Sequence, residues 1–288
     1  MLIATLIAAG RLDDRMLEAA LDRLGGARLL GWIDKGDAAD IAVEDVRAAR
    51  TAMEGWEGVD VVVQPGRHRR KRLLVADMDS TIIGQECIDE LADYAGIKPE
   101  IAAITERAMQ GELDFAAALR ARVALLEGLD AAVITRCLAE RIRPNPGART
   151  LVRTMRLHAA ETILVSGGFT AFVAPIAEAV GFERFVANEL SVRDGKLAGT
   201  VEGRIVDSTV KHDTLVEARD RLALEPEMTL AVGDGANDIA MVEEAGLGVA
   251  FRAKPALAAV ADARLDHHGL DALLWAADVP RRHWVVEG

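Results

Sequence analysis

The chain opens on an apolar run, LIATLIA. Next comes LDDRMLEAALDRLGG, whose apolar positions recur every three to four residues and stop at Gly25-Gly26. The first pattern predicts a strand and the second a helix with a glycine stop. ARLLGWI and AADIAVE predict strands on either side of an Asp-Lys-Gly-Asp turn, DVRAARTAMEGW a second helix, and VDVVVQ a last strand. The order βαββαβ over residues 1–64 fits a ferredoxin-like sandwich, two helices on one antiparallel sheet. Pro65-Gly66 breaks the pattern, and the basic run RHRRKR (67–72) follows. Short and without aromatics, this run reads as a solvated linker between domains.

From Leu73 the pattern changes. LLVADMD reads as a buried strand ending in two aspartates. IDELADYAG, EIAAITERAMQGE, DFAAALRARVALLEG and DAAVITRCLAE then carry helical periodicity until Pro144 and Pro146. Beyond them, helices (TLVRTMRLHAA, TAFVAPIAEAVG, HDTLVEARDRLAL, IAMVEEAG) alternate with strands (TILVSGG, ERFVANEL, MTLAVG). SVRDGKLAGTVEG predicts a hairpin about Asp194-Gly195, and LGVAF and ARLDH short edge strands. This alternation predicts an α/β fold with a parallel sheet that binds ligands at its strand carboxyl ends. The helical stretch reads as an insertion covering that edge.

Composition narrows the function. Hydrophobic residues make up 51% and aromatics only 4%, so Ala, Val, Leu and Ile must fill the core. The net charge of -12 argues against a nucleic-acid partner, which needs a basic face. An anionic small substrate would need a locally basic pocket or a metal. The two cysteines, Cys87 and Cys137, form neither a metal-ligand spacing nor a disulfide framework, so a reduced, cytoplasmic setting is expected. MLIATLIAAG lacks the basic start of a signal peptide. No stretch approaches the ~18 apolar residues of a membrane span, so no membrane partner is expected.

Asp77 and Asp79 lie two apart, and an extended backbone points both to one side. Three more polar clusters follow: VSGG (165–168), Lys211 ahead of a helix, and GDGAND (233–238) with Asp234 and Asp238. Converging carboxylates suit a hard cation, Mg²⁺ above others. Glycines around Ser166 and Asp234 let backbone amides approach an oxyanion. Lys211 adds a fixed positive charge, completing a phosphate site. A carboxylate facing a phosphate dianion at ~4 Å is opposed by roughly 8 kcal/mol at an effective dielectric near 20. Attack by Asp77 therefore needs that positive charge, while the second aspartate can carry a proton.

DMDST, SGG, Lys211 and GDGAND, in this order, resemble the motifs of the haloacid-dehalogenase-like (HAD) phosphatase superfamily. The stretch AMQGELDFAAALRARVALLEGL (108–129) resembles the cap of its phosphoserine phosphatases. The resemblance covers residues 73 to about 275. It implies a Rossmannoid core at 72–86 and 150–288, a helical cap at 87–149, and an ACT-like domain with linker at 1–71. It also implies Mg²⁺-dependent hydrolysis of O-phospho-L-serine through an aspartyl-phosphate, the last step of L-serine biosynthesis. By position, Asp77 would be the nucleophile and Asp79 the acid/base. Both would also ligate the metal with Asp234, and Asp238 would support its outer shell. Ser166, Gly167, Lys211 and Asn237 would hold the phosphate. Glu86 would take the ammonium and Arg122 the carboxylate. Phe115 and Met109 would close the cap.

Transfer to homoserine, another small phosphomonoester, or a catalytically dead amino-acid sensor are the rival readings. A regulatory role or a homodimer through the N-terminal unit is expected from fold analogy alone. His267 and His268 read as loop residues, Trp275 and Trp284 as packing residues, and Cys87 as a small core residue.

Overall fold

The computed structural model describes residues 1–109 and 112–286, the side chain of Met109 excepted. The first unit runs β1 (Leu2–Ile7), α1 (Asp14–Arg23), β2 (Arg28–Asp34), β3 (Ala38–Val43), α2 (Val46–Met53), β4 (Asp60–Pro65). Its strands pair antiparallel in the order β2-β3-β1-β4, the ferredoxin-like arrangement the pattern predicts. Asp13 and Asp45 cap the helices by accepting the amides of Met16 and Ala48, donors a helix start leaves unpaired. Ala4 and Leu6 pack in one apolar cluster with Leu17, Ala49 and Met53 of the helices. Ile7, Ala38 and Val62 belong instead to the core of the second unit.

The linker is solvated only in part. Arg69 and Lys71 are buried, while Arg70 and Arg72 between and after them are exposed. The Arg69 guanidinium forms a two-pronged pair with Asp40 at 2.6 and 3.0 Å and donates to the Ala276 carbonyl at 3.1 Å. Lys71 donates to the Glu227 carbonyl at 2.8 Å. The run supplies basic side chains, but only the tertiary structure turns alternate ones onto buried acceptors. On the other side, Asp60 accepts the amides of Asp266 and His268 and the His268 Nδ1–H at 2.7 Å. Burial alone would raise the Asp60 carboxyl, yet these donors hold it below its ordinary range. His268 Nε2 accepts the Ala9 amide, so the imidazole ties the two units together.

The second unit starts at β5 (Leu73–Ala76) and inserts α3 (Cys87–Ala95), α4 (Lys98–Met109), α5 (Phe115–Ala124) and α6 (Ala132–Glu140). It continues α7 (Ala148–Leu157), β6 (Glu161–Phe169), α8 (Thr170–Val180), β7 (Arg184–Arg193), β8 (Lys196–Glu202), α9 (Ser208–Arg221), β9 (Thr229–Gly233). It closes with α10 (Ile239–Glu244), β10 (Leu247–Phe251), α11 (Pro255–Ala258), β11 (Ala263–Leu265) and α12 (Ala272–Ala276). The sheet order is β11-β10-β9-β5-β6-β7-β8, parallel except for the β7–β8 hairpin. LGVAF is not an edge strand. β10 lies between β9 and β11 with every residue buried, as an unbroken apolar run in a parallel sheet should be.

Leu74, Ala76 and Leu164 face the cluster containing α7 and α8, and Leu73, Val75 and Ile163 face that of α9 and α10. The chain leaves β5 for β6 on one side and later adds β9 on the other. The carboxyl end of β5 is therefore the topological switch point where such sheets bind ligands, and Asp77 is its next residue. The cap joins the core through two chain segments held side by side. Ile83 bridges Pro144, and Asn145 donates through its backbone to Ile82 and through Nδ2 to Thr81. The expected cap boundary at residue 149 falls inside α7, which packs on the sheet.

Candidate active site

β5 ends at Ala76, and Asp77 follows with its backbone amide donating to Val232 of the neighbouring strand β9. The chain then makes one wide turn, Met78–Ile82, in which Ser80 adopts φ +56°. The left-handed conformation is costly for a residue with a Cβ and recurs at functional sites. It sends Asp79 toward β6 and Ser80 toward Glu86 at the entry to the cap. The Ser80 hydroxyl donates to Glu86 at 2.8 Å, and the first amide of α3, on Cys87, donates to Asp79 Oδ1 at 3.1 Å.

Lys211 lies inside the first turn of α9 and not ahead of a helix, because Asp207 caps that helix four residues earlier. Its Nζ is 2.6 Å from Asp77 Oδ1 and 2.7 Å from Asp238 Oδ1, and the side chain is 1% exposed. Burial alone would lower the ammonium, but the two carboxylates hold it charged, above the ordinary lysine range. The same burial and the charge of Asp238 push the Asp77 carboxyl up, with Lys211 opposing. Asp238 Oδ2 accepts the amides of Asp234 and Gly235, both at 3.1 Å. Gly233 is required here, since a Cβ would sit 2.4 Å from the Asp238 carboxyl carbon.

Asp77, Asp234 and Asp238 each place one carboxylate oxygen within 4.8 Å of the others, and all three are buried. Lys254 approaches Asp234 at 3.6 Å from the exposed side. Burial raises the Asp234 carboxyl, with Lys254 pulling against it. Three buried carboxylates against one buried ammonium leave local excess negative charge. An all-oxygen set of this kind fits a hard divalent cation.

Asp79 is half-buried, and burial together with the Glu86 charge pushes its carboxyl up to about 7. Its Oδ2 faces the carboxyl end of β6, since a Cβ on Gly168 would lie 3.2 Å from it and 3.0 Å from Ser166 Oγ. Ser166 is buried and accepts the Gly168 amide at 2.9 Å. Phe115, from cap helix α5, lies over Gly167, where a Cβ would meet its ring at 3.1 Å. Arg122, two turns along the same face of α5, is half-buried. Burial pulls it down while the charges of Asp89 and Glu86 act against that. Asn237 stands on the turn between Asp234 and Asp238, with its Oδ1 against Gly235.

The sheet edge thus brings together Asp77, Asp79, Ser166, Gly167, Lys211, Asn237, Asp234 and Asp238. Glu86, the residue just before α3, and Phe115 and Arg122 of the cap join them. Met109, also expected on the cap surface, has a side chain outside the described residues. Sequence reading missed the polar groups that hold these residues: Ser80 on Glu86, the Cys87 amide on Asp79, Lys254 by Asp234, and Asn188. Asn188 sits 1% exposed in the mixed strand β7, and the sequence carried no signal for it because only the tertiary structure buries that amide.

The haloacid dehalogenase-like hydrolase family model matches residues 74–243. Phosphoserine phosphatase SerB2 of Mycobacterium tuberculosis is 46% identical over 83% of this chain, and a phosphoserine phosphatase of Archaeoglobus fulgidus 43% over 77%. The chain spans 59% and 65% of the lengths of these two relatives. A crystal structure of a probable phosphoserine phosphatase from Vibrio cholerae, 31% identical, superposes with a TM-score of 0.80 over 98% of this chain and 88% of that one. The switch-point aspartates, the buried lysine and the matched residues 74–243 agree, and the chain belongs to the haloacid dehalogenase-like hydrolase family.

Proposed function

We propose that this chain is a Mg²⁺-dependent phosphoserine phosphatase. The observation that carries the reading is a charge match. Glu86 and Arg122 are near enough to feel each other's charge, beside the nucleophile loop. They offer an anion and a guanidinium to a substrate bearing an ammonium and a carboxylate. Asp77, Lys211, Ser166 and Asn237 await its phosphate. The relatives named above carry the same activity in their names.

Asp77 attacks phosphorus, forming a carboxyl–phosphate bond as the serine oxygen leaves. Asp79, protonated up to about pH 7, donates to that alkoxide and then takes a proton from the water that hydrolyses the acyl phosphate. Lys211 offsets the repulsion between Asp77 and the dianion. Asp77, Asp234 and the Asp79 carbonyl would hold the metal. Both Asp238 oxygens are already engaged by Lys211 and two amides, which suits an outer, supporting place. When bound, Mg²⁺ would supply further positive charge against the transferring phosphoryl group. Phe115 and the cap shut out water.

A panel of phosphomonoesters with Mg²⁺ on the wild type and Asp77→Asn tests this. Phosphoserine should be the preferred substrate, with turnover lost in the variant. Near-normal turnover by Asp77→Asn would overturn the covalent mechanism. Indifference to the amino-acid part would overturn the substrate.

A further inference from the structure

Strand pairing between β6 and β7 is interrupted at the phosphate loop. Val165 pairs with Val186, and the next pair is Phe169 with Asn188. Three residues of β6, Ser166–Gly168, therefore stand opposite the single residue Ala187, and the β6 backbone bulges toward the site. Asn188 fills the gap with its side chain. Its Nδ2 donates to the Gly167 carbonyl at 2.7 Å, and its Oδ1 accepts the Val206 amide at 2.8 Å. Its own carbonyl accepts the Thr170 hydroxyl at the start of α8.

Two consequences meet at this amide. The Gly167 carbonyl and the Gly168 N–H belong to one planar peptide unit. Asn188 holds one end and Ser166 Oγ holds the other. A serine oxygen that accepts the Gly168 N–H keeps its own proton free to donate. On the far side, Val206 directly precedes Asp207, the cap of the helix that carries Lys211. One fully buried side chain therefore fixes both the Ser166 hydroxyl and the approach of the Lys211 helix.

Resting on the phosphatase reading, we infer that Asn188 is a positioning residue for phosphoryl binding. It touches neither substrate nor metal. It sets the spacing between the Ser166 hydroxyl and the Lys211 ammonium, the two donors that must reach one phosphate. Losing it slackens the phosphate end of the site and leaves the Glu86–Arg122 end in place.

The test uses the full chain with Mg²⁺ and the variants Asn188→Asp and Asn188→Ala. Asn188→Asp keeps the acceptor for Val206 and loses the donor to Gly167. It decides the matter if Asn188→Ala fails to fold. Thermal melting confirms that each variant is folded. Inhibition constants are then measured separately for orthophosphate and for L-serine, along with kcat and KM. The inference expects orthophosphate affinity and kcat to fall at least tenfold, with L-serine inhibition changed less than twofold. A folded variant with unchanged orthophosphate affinity overturns it. Equal losses for orthophosphate and L-serine, the mark of general loosening, overturn it as well. If the wild type hydrolyses an aryl phosphate and not phosphoserine, the proposed function fails. The orthophosphate comparison still decides the role of Asn188.

Discussion

Replacing Lys211 with methionine tests the electrostatic account of the site directly. Its ammonium stands 2.6 Å from Asp77 and 2.7 Å from Asp238, with 1% of the side chain exposed. At an effective dielectric of about 20, each contact is worth about 6 kcal/mol of attraction. Removing three ions from water takes back most of that. The measurable quantity is the cost of leaving two buried carboxylates without their partner, about 3–5 kcal/mol. The loss should depend on pH. In the wild type the folded-state pKa of Lys211 lies above its unfolded value, so its stabilisation is fully present from pH 5 to 8 and is lost only at strongly alkaline pH. In Lys211→Met both carboxylates lose their partner, and the Asp77 carboxyl, already raised by burial, loses the charge that opposed this and rises further above the unfolded value of about 3.9. The folded variant then binds more protons than the unfolded chain, so its stability recovers as pH falls from 8 to 5. Urea unfolding followed by circular dichroism at both pH values, without added metal, measures this. A deficit of about 3–5 kcal/mol at pH 8 that shrinks by half or more at pH 5 is expected. A deficit under about 1 kcal/mol at pH 8, or one equal at both pH values, would refute the reasoning.

Asp79 should act as the acid below about pH 7, so kcat for an alkyl phosphate should decline above it. Asp79→Asn should slow phosphoserine far more than p-nitrophenyl phosphate, whose leaving group needs no proton, and equal slowing would contradict the assignment. Arg122→Ala should lower kcat/KM for phosphoserine by about 2–4 kcal/mol, roughly 30- to 900-fold. Phosphoethanolamine, which has no carboxylate, should be spared, and a substrate panel reads the difference. Arg69→Ala strands the buried Asp40 carboxylate and should cost about 3–5 kcal/mol in urea unfolding, whereas adding Asp40→Leu to that variant should recover part of the loss.

Much of the architecture was legible because it is written in periodicity. The βαββαβ order, the four cap helices and the strand ends at Asp77, Ser166 and Asp234 each follow from local runs of apolar residues and their glycine or aspartate stops. The chemistry was legible in kind, since carboxylates, a lysine and glycines recur at strand ends where a parallel sheet puts its ligands. Two readings failed for one reason. RHRRKR reads as solvated because charge alone says nothing about a buried acceptor, and the Asp40 carboxylate that holds Arg69 lies in another strand. LGVAF reads as an edge because the sequence does not show the strand order that places β10 inside the sheet.

By itself, then, the sequence determined the element types, the two units and the candidate residues from which phosphoryl chemistry is proposed, all properties of short segments. The tertiary structure alone decided which charges meet. The contacts of Lys211 with Asp77 and Asp238, of Asn188 with Gly167 and Val206, and of Asp60 with His268 join distant parts of the chain. The strength of such contacts depends on distance and burial, which exist only once the sheet has brought those segments to one edge.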